Sequence, residues 1–351
     1  MTQYYSRQIR LPEVREEGQE LLKNSKCLVV GAGGLGSPAL LYLAAAGVGT
    51  VGICDGDTLD ESNLHRQPLY RFEDLGKKKA ELAKKRIESL NPFIKVECHP
   101  SHLTAKNALS LFESYDLILD CTDNFRAKFL INDAAYFAKK AVVRASIYQF
   151  EGQLQTYIPE KSAPCLRCLW EETPQEGCVG TCQEVGVLGP VPGYFGTLQA
   201  MEAIKYFLKM PTLPSHEILF TDLVYHSKQV LSFSKNKECP LCGESPRILH
   251  LVDKSDWEIE SKNLNDYPFQ WIDIREEEET CQAPCPGNNV LTIPMSAFDF
   301  RNLDPQISYL LICQKGKRSH SLARALRAEG LSNVYSLIGG SEELVKVLLD
   351  K

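Results

Sequence analysis

The sequence of 351 residues has no apolar run near the ~18 residues needed to cross a bilayer, so no membrane span is expected. Its opening residues, MTQYYSRQIRLPE, have no apolar core segment and do not read as a secretory signal. Excess positive charge is missing as well. The net charge is −6, which argues against a global electrostatic footprint for nucleic acid. Basic stretches such as KKKAELAKKR read as a solvated helix face. No internal repeat and no long low-complexity tract interrupts the chain.

What is there is ordinary in bulk and unusual in detail. Apolar content of 44% and charged content of 24% fit a globular protein, and the length fits about two domains, each able to bury a core. Thirteen cysteines without an export signal read as reduced thiols of a cytoplasmic protein. Those with special spacing are candidate metal ligands or nucleophiles.

Residues 1–20 read as a helical arm. KCLVVGAGGLG is an apolar strand running into a Gly-rich turn. SPALLYLAAAGVG has helical periodicity, and TVGICDGD is a second buried strand. KKKAELAKKRIESLNP is a helix stopped by Asn-Pro; KVECHP and YDLILDCTDN are strands. KAVVRASIYQFEGQLQTYIP reads as two strands and YFGTLQAMEAIKYFLK as a helix. Strands alternating with helices predict an α/β fold with a doubly wound, mostly parallel sheet. A polar, turn-rich seam follows near 235–268. Beyond it FQWIDIREEEE, ISYLLICQ and NVYSLIGG are strands of a smaller α/β unit.

GAGGLG fits the G-x-G-x-x-G pattern after a strand and before a helix, with Gly31, Gly33 and Gly36 in the Gly positions. Gly31 permits the tight turn, and Gly33 and Gly34 let backbone N–H groups approach a phosphate at the helix N-terminus. Asp55 ends the next strand, where a ribose-binding acid belongs. This pattern alone serves an NAD oxidoreductase equally well. Ser62, Asn63 and Arg66 in DESNLHRQ, Lys79 at a helix start, and Asp123 and Asn124 after a strand shift the reading to ATP. Arg and Lys offset triphosphate charge, and an Asp can hold the Mg²⁺ that bridges phosphate oxygens.

YSRQIRL, VVGAGGLGSPALLYLAAAGVGTV, CDGDTLDESNLHRQ, LDCTDN and GYFGTLQAMEAIK together resemble the MoeB/ThiF family, relatives of ubiquitin-activating enzymes, over residues 1 to about 245. The resemblance implies adenylation of the C-terminal Gly-Gly carboxylate of a ubiquitin-like sulfur-carrier protein. It implies that Gly34 approaches the phosphates and Asp55 the ribose. Asn63, Arg66 and Lys79 would hold the triphosphate, and Asp123 would serve Mg²⁺. Arg7 resembles an arginine that family dimers insert into the partner's ATP site, which implies a homodimer.

Two C-x-x-C pairs, Cys165/Cys168 and Cys239/Cys242, suit a tetrahedral Zn–S₄ site, although the segment between them is far longer than in a zinc ribbon. Redox dithiols are the alternative. The family resemblance implies a structural zinc. Between the pairs, EGCVGTCQEVGVLGP reads as a mobile crossover loop. By resemblance its Cys182 matches a cysteine that attacks the acyl adenylate or forms an acyl link, against the alternative of an inert loop thiol. Cys178 has no assigned role.

Near the C-terminus LLICQKGKRSHSLARALRAEG puts Lys315, Lys317 and Arg318 just after Cys313 and before a helix expected from about Ser319. Cations and a helix N-terminus lower a thiol pKa, and loop N–H groups can form an anion nest. A persulfide suits such a loop; a buried strand-end cysteine beside a solvated basic turn is the plainer alternative. The C-x-x-G-x-R-S pattern, with WIDIREEEE before it and NVYSLIGG after it, resembles a rhodanese domain over about 265–351. One departure stands out. The usual His-Ile-Pro-Gly turn is replaced by CQAPCPGNNVLTIPMS, which brings Cys281 and Cys285: a small redox or metal pair, or incidental thiols.

The expected architecture is a Rossmann-like domain with a zinc-stapled extension over 1–245, a linker over 246–264 and a rhodanese-like sulfurtransferase domain over 265–351. ATP, Mg²⁺ and Zn²⁺ are the expected cofactors. The expected partners are a Gly-Gly carrier protein and a sulfur donor such as a cysteine desulfurase, with no nucleic acid and no membrane. The pathway stays open between molybdopterin biosynthesis, taken first, thiamine biosynthesis and tRNA thiolation. An NAD oxidoreductase and a non-catalytic carrier-binding scaffold are the rival classes.

Overall fold

The computed structural model describes residues 3–171, 186–251, 257–259, 261, 264, 268–287, 289–331 and 333–349, leaving aside the side chains of 328 and 346–349. The chain divides into two compact units, residues 1–251 and 252–351, each with its own sheet.

In the first unit α1 (Ser6–Ile9) and α2 (Arg15–Asn24) form the N-terminal arm. β1 (Lys26–Val30), α3 (Gly36–Ala46) and β2 (Thr50–Cys54) give the β-loop-α-β start. The alternation continues through α4 (Lys79–Leu90), β3 (Lys95–His99), α5 (Ala105–Glu113), β4 (Leu117–Asp120), α6 (Phe125–Ala138) and β5 (Ala141–Tyr148). Then come β6 (Glu151–Tyr157), α7 (Leu166–Leu169), α8 (Pro190–Phe207), β7 (Glu217–Asp222) and β8 (Ser227–Ser232). The strand order is β3-β2-β1-β4-β5-β6-β7-β8. The first five are parallel, and β6, β7 and β8 each join antiparallel.

The parallel strands are buried on both faces, which explains their unbroken apolar runs. Leu28 and Val30 of β1 face one core, with Ile118, Ile131 and Val142; Cys27 and Val29 face the other, with Leu40, Leu43 and Leu119. Strand order reverses between β1 and β4. Ligands of such sheets bind at that switch point, beyond the carboxyl ends of the strands. α5, α6, β7 and β8 were not anticipated from sequence. The six residues of β8 are all exposed, so that strand has no apolar face to betray it.

The second unit contains β9 (Glu258–Ile259), β10 (Gln270–Asp273), α9 (Glu277–Gln282), β11 (Val290–Thr292), β12 (Tyr309–Ile312), α10 (Lys317–Ala328), β13 (Val334–Leu337) and α11 (Gly340–Leu349). Its five strands, ordered β11-β10-β12-β13-β9, are all parallel. Tyr309, Leu311 and Cys313 face one core and Leu310 and Ile312 the other. β9 lies in the stretch read as a linker; at two residues it is too short to carry a periodic signal. Among the described residues no helix is long and apolar enough to cross a membrane.

α8 packs along α3, and two of its glycines make opposite demands. A Cβ on Gly196 would stand 2.1 Å from the Leu35 carbonyl oxygen, whereas one on Gly193 meets nothing within 4 Å. Gly193→Ala should therefore stabilise the first unit by about 0.5–1 kcal/mol through helix propensity. Gly196→Ala should destabilise it by about 1–3 kcal/mol or more through overpacking. Thermal denaturation of the two variants checks the opposite signs.

Candidate active sites

The first site lies at the switch point. Gly31 follows β1 at φ +91°, and a Cβ there would meet the Cys121 carbonyl oxygen, after β4, at 2.8 Å. Only glycine satisfies both the left-handed backbone and the close approach. A Cβ on Gly36 would stand 2.0 Å from the Gly31 carbonyl oxygen, so this glycine closes the turn onto itself. Gly34 packs under Pro192 of α8, and the side chain of Gln67 is the nearest neighbour of Gly33.

Asp55, just past β2, is buried and binds backbone on both sides: Ala32 N–H donates to Oδ2 at 2.7 Å and Asp57 N–H to Oδ1 at 2.8 Å. Burial pushes its carboxyl pKa up, and the two N–H donors oppose that shift. Asp55 thereby fixes the Gly-rich loop against the second strand. Tyr70 reinforces it by donating its hydroxyl to the Ala32 carbonyl at 2.7 Å.

Lys79 heads α4. Its side chain is only 7% exposed and pairs with Asp57 at 3.0 Å. Arg66 donates to the Ser62 carbonyl at 2.6 Å and lies 3.0 Å from the His65 ring. Buried Asn63 closes a capping box with Asp60, and Ser62 is exposed beside it. Asp123 is exposed just beyond β4, with no partner among the described residues. Asn124 caps α6 by accepting from Ala127 N–H at 2.9 Å. Glycines, Asp55, Lys79 and Asp123 thus sit at the carboxyl ends of adjoining strands. Arg7, on α1, is exposed. Cys178 and Cys182 lie outside the described residues.

Sequence reasoning missed Asp57, Tyr70, Gln67 and Gln199. Gln199, fully buried on α8, donates to the carbonyls of Asp120 at 2.7 Å and Val143 at 3.1 Å. Asp57 and Gln67 lie within CDGDTLDESNLHRQ and Gln199 within GYFGTLQAMEAIK, but no spacing rule singles them out, and Tyr70 lies outside every motif.

The four cysteines of the two C-x-x-C pairs converge, with all four sulfurs within 4.8 Å of one another. Cys165 and Cys239 are 3.6 Å apart, and Cys168 and Cys242 3.4 Å. A tetrahedron with metal–sulfur bonds of about 2.3 Å has edges of about 3.8 Å, so the set fits one ion with no open position. The neighbouring Cys165 sulfur, 4.0 Å away, pulls the Cys168 thiol pKa down. α6 grips this knot: Asn132 Oδ1 accepts from Leu166 N–H at 2.8 Å, and Asp133 holds Arg167 through two bonds of 2.7 Å.

In the second unit Cys313 follows β12 and is buried. Ser319 N–H points at its sulfur at 3.4 Å, and Ser319 Oγ lies 3.5 Å away. α10 begins at Lys317, two residues earlier than expected, because Gly316 takes φ +80° and starts the turn. Ser341 N–H holds the Cys313 carbonyl at 2.8 Å. The three cations do not act alike. Lys315 and Lys317 are exposed, while Arg318 is clamped by Glu279 of α9 through bonds of 2.7 and 2.6 Å. The Arg318 guanidinium holds the Glu279 carboxyl down to about 2. Where the usual His turn is absent, Ser296 binds Glu276 at 2.7 Å and Met295 N–H binds the Ile274 carbonyl at 3.1 Å, so that turn still docks beside β10.

With this geometry in place, comparison with known proteins is informative. The ThiF family matches residues 5–241 and the rhodanese-like domain residues 259–346. A sulfur carrier protein adenylyltransferase of Thermus thermophilus is 45% identical over 71% of this chain and 93% of its own length. A probable adenylyltransferase/sulfurtransferase MoeZ of Mycobacterium tuberculosis is 36% identical over 96% of this chain and 91% of its own. The adenylyltransferase and sulfurtransferase uba4 of Ogataea parapolymorpha is 35% identical over 96% and 94%. The crystal structure of E. coli MccB with ATP superposes with a TM-score of 0.60 over 69% of this chain and 75% of that one, at 21% identity, which establishes the shared fold.

The Glu279 clamp yields a prediction. The pairing is complete above the ordinary Glu value of 4.5 and is lost as pH falls toward 2. Glu279→Gln frees the Arg318 charge beside Cys313 at neutral pH. Alkylation of Cys313 by iodoacetamide should then run several-fold faster; an unchanged rate would show that the clamp does not govern the thiol.

Proposed function

Because the chain belongs to the ThiF family and ends in a rhodanese-like domain, we propose that it is an enzyme which adenylates a sulfur-carrier protein and then supplies the sulfur. One observation carries the reading: a single chain holds both a Gly-rich crevice at the switch point and a buried thiol where a strand turns into a helix. Relatives named for both activities, matched along nearly the whole chain, support it.

In the first step the carrier's C-terminal Gly-Gly carboxylate attacks the α-phosphorus of ATP, and pyrophosphate leaves. The carboxylate is already ionised at neutral pH, so no strong base is needed. The enzyme's part is placement and charge: Gly31, Gly33, Gly34 and Gly36 bring the backbone to the phosphates, and Asp55 meets the ribose. Asn63, Arg66 and Lys79 hold the triphosphate. Asp123, with its free exposed carboxylate, would hold the magnesium that offsets phosphate charge. In the second step the terminal sulfur of a Cys313 persulfide attacks the acyl carbon and AMP leaves, giving an acyl disulfide. A further thiol, Cys182 or an external reductant, attacks the Cys313 sulfur and releases the carrier thiocarboxylate.

Cys165, Cys168, Cys239 and Cys242 would hold zinc as a structural staple. The chain acts as a cytoplasmic homodimer in which Arg7 reaches across to the partner's ATP. A cysteine desulfurase loads Cys313. Molybdopterin biosynthesis is the pathway put first; thiamine biosynthesis and tRNA thiolation are the alternatives.

Pyrophosphate release is the test, using ATP and a panel of purified Gly-Gly carriers. One carrier should support release, and Asp123→Ala should remove at least nine-tenths of it. No release with any carrier would refute adenylation. Metal analysis should find about one zinc per chain. Cys239→Ser should lose the zinc and lower the melting temperature; a folded, metal-free wild-type chain would contradict the staple.

A further inference from the structure

A serine stands where the sheet of the rhodanese-like unit would pack an apolar side chain. Val334 of β13 packs in the core of Tyr309, Leu311 and Cys313. Ser336, two residues on, shares that face by the period of a strand and is 1% exposed. A buried hydroxyl costs free energy unless it is hydrogen-bonded. Among the described residues the Ser336 hydroxyl has one partner, Ser319 Oγ, to which it donates at 2.9 Å. Its backbone is held from both sides. Ser336 lies opposite Leu311 of β12, and its N–H donates to the Trp257 carbonyl, next to β9, at 2.7 Å.

Ser319 in turn reaches the Cys313 sulfur. Its hydroxyl has one proton and two acceptors, the Gly316 carbonyl at 3.1 Å and Cys313 Sγ at 3.5 Å. A neutral thiol accepts weakly, so the carbonyl keeps the proton while Cys313 is protonated. A sulfur anion is the stronger acceptor and draws the proton over. Donation from Ser336 to the same oxygen strengthens that bond, because linked hydrogen bonds polarise one another. Nearby charge is paired or exposed: Glu279 holds Arg318, Asp273 holds Arg275, Glu258 meets the His320 ring, and Lys315 and Lys317 face solvent. Among the described residues both hydrogen bonds to the sulfur come from Ser319.

We propose that Ser336 is a positioning residue for the Cys313 sulfur and acts through Ser319, in a relay of two buried hydroxyls that holds negative charge on that sulfur. The proposal rests on the reading of Cys313 as the sulfur-carrying thiol. In loading, the Cys313 thiolate attacks the outer sulfur of a donor persulfide. The new S–S bond forms as the donor's S–S bond breaks, and the donor leaves as its thiolate. The relay favours the thiolate that begins this step.

The test compares the full chain with Ser336→Ala, Ser319→Ala and the double variant. Each is alkylated with iodoacetamide over a pH series, and the tryptic peptide 302–315, whose one cysteine is Cys313, is weighed. In Ser336→Ala the pH of half-maximal alkylation rate should rise by about half a unit, which is roughly threefold less thiolate at a given pH. Ser319→Ala should shift it at least as far, and adding Ser336→Ala to that variant should change nothing further. An unshifted midpoint in Ser336→Ala overturns the proposal. So does a Ser336→Ala shift that persists undiminished in the Ser319→Ala background, since Ser336 would then act by packing. Alkylation needs neither ATP nor a sulfur donor. A Cys313 that never takes up sulfur would therefore fail the sulfur-transfer reading, while the midpoints still decide the relay.

Discussion

The first unit is organised by one close contact: the backbone of Gly31 lying against the Cys121 carbonyl, where a Cβ would stand at 2.8 Å. It lets β1 turn sharply at the sheet's switch point and brings the loop after β1 against the loop after β4. Asp55 then ties that loop to β2 through Ala32 N–H. With both contacts made, three strand ends present glycine backbone, a buried acid and an exposed acid to one crevice. Any side chain at Gly31 would push these strand ends apart.

The cysteine knot answers to the same crevice through α6. At its N-terminus Asn124 caps the helix beside Asp123; further along, Asn132 and Asp133 hold Leu166 N–H and Arg167, which lie between the first two cysteines. Asn132 also accepts from Arg144 on β5, buried beside Asp120. Burial drives the Arg144 guanidinium pKa down while Asp120 opposes that shift. One helix thus spans from the four-cysteine cluster to the acid at the crevice.

Much of this was legible in the sequence because it is local. A Gly-rich turn after an apolar strand, an acid at the next strand end and C-x-x-C pairs all declare themselves within a few residues. The structure puts Asp55 and Lys79 beside the Gly loop and closes the four cysteines into one cluster. What stayed hidden depends on contacts between distant residues. Gln199 reaches Asp120 across 79 positions, and Glu279 reaches Arg318 across 39. The basic loop after Cys313 read as three cations around a thiol; one of them is neutralised by a glutamate that no spacing rule connects to it. Helix α6 and the exposed edge strand β8 escaped for want of a strong periodic face, whereas α5 is amphipathic but only nine residues long.

The account's central claim is that one chain both activates a carboxylate and replaces its oxygen with sulfur. The most direct measurement is the mass of a carrier's C-terminus after incubation with the full chain, ATP and a persulfide donor. The account predicts exchange of one oxygen for sulfur by the wild-type chain, and by Cys313→Ser a carrier that reaches the adenylate without gaining sulfur. Equal sulfur incorporation by Cys313→Ser would contradict it.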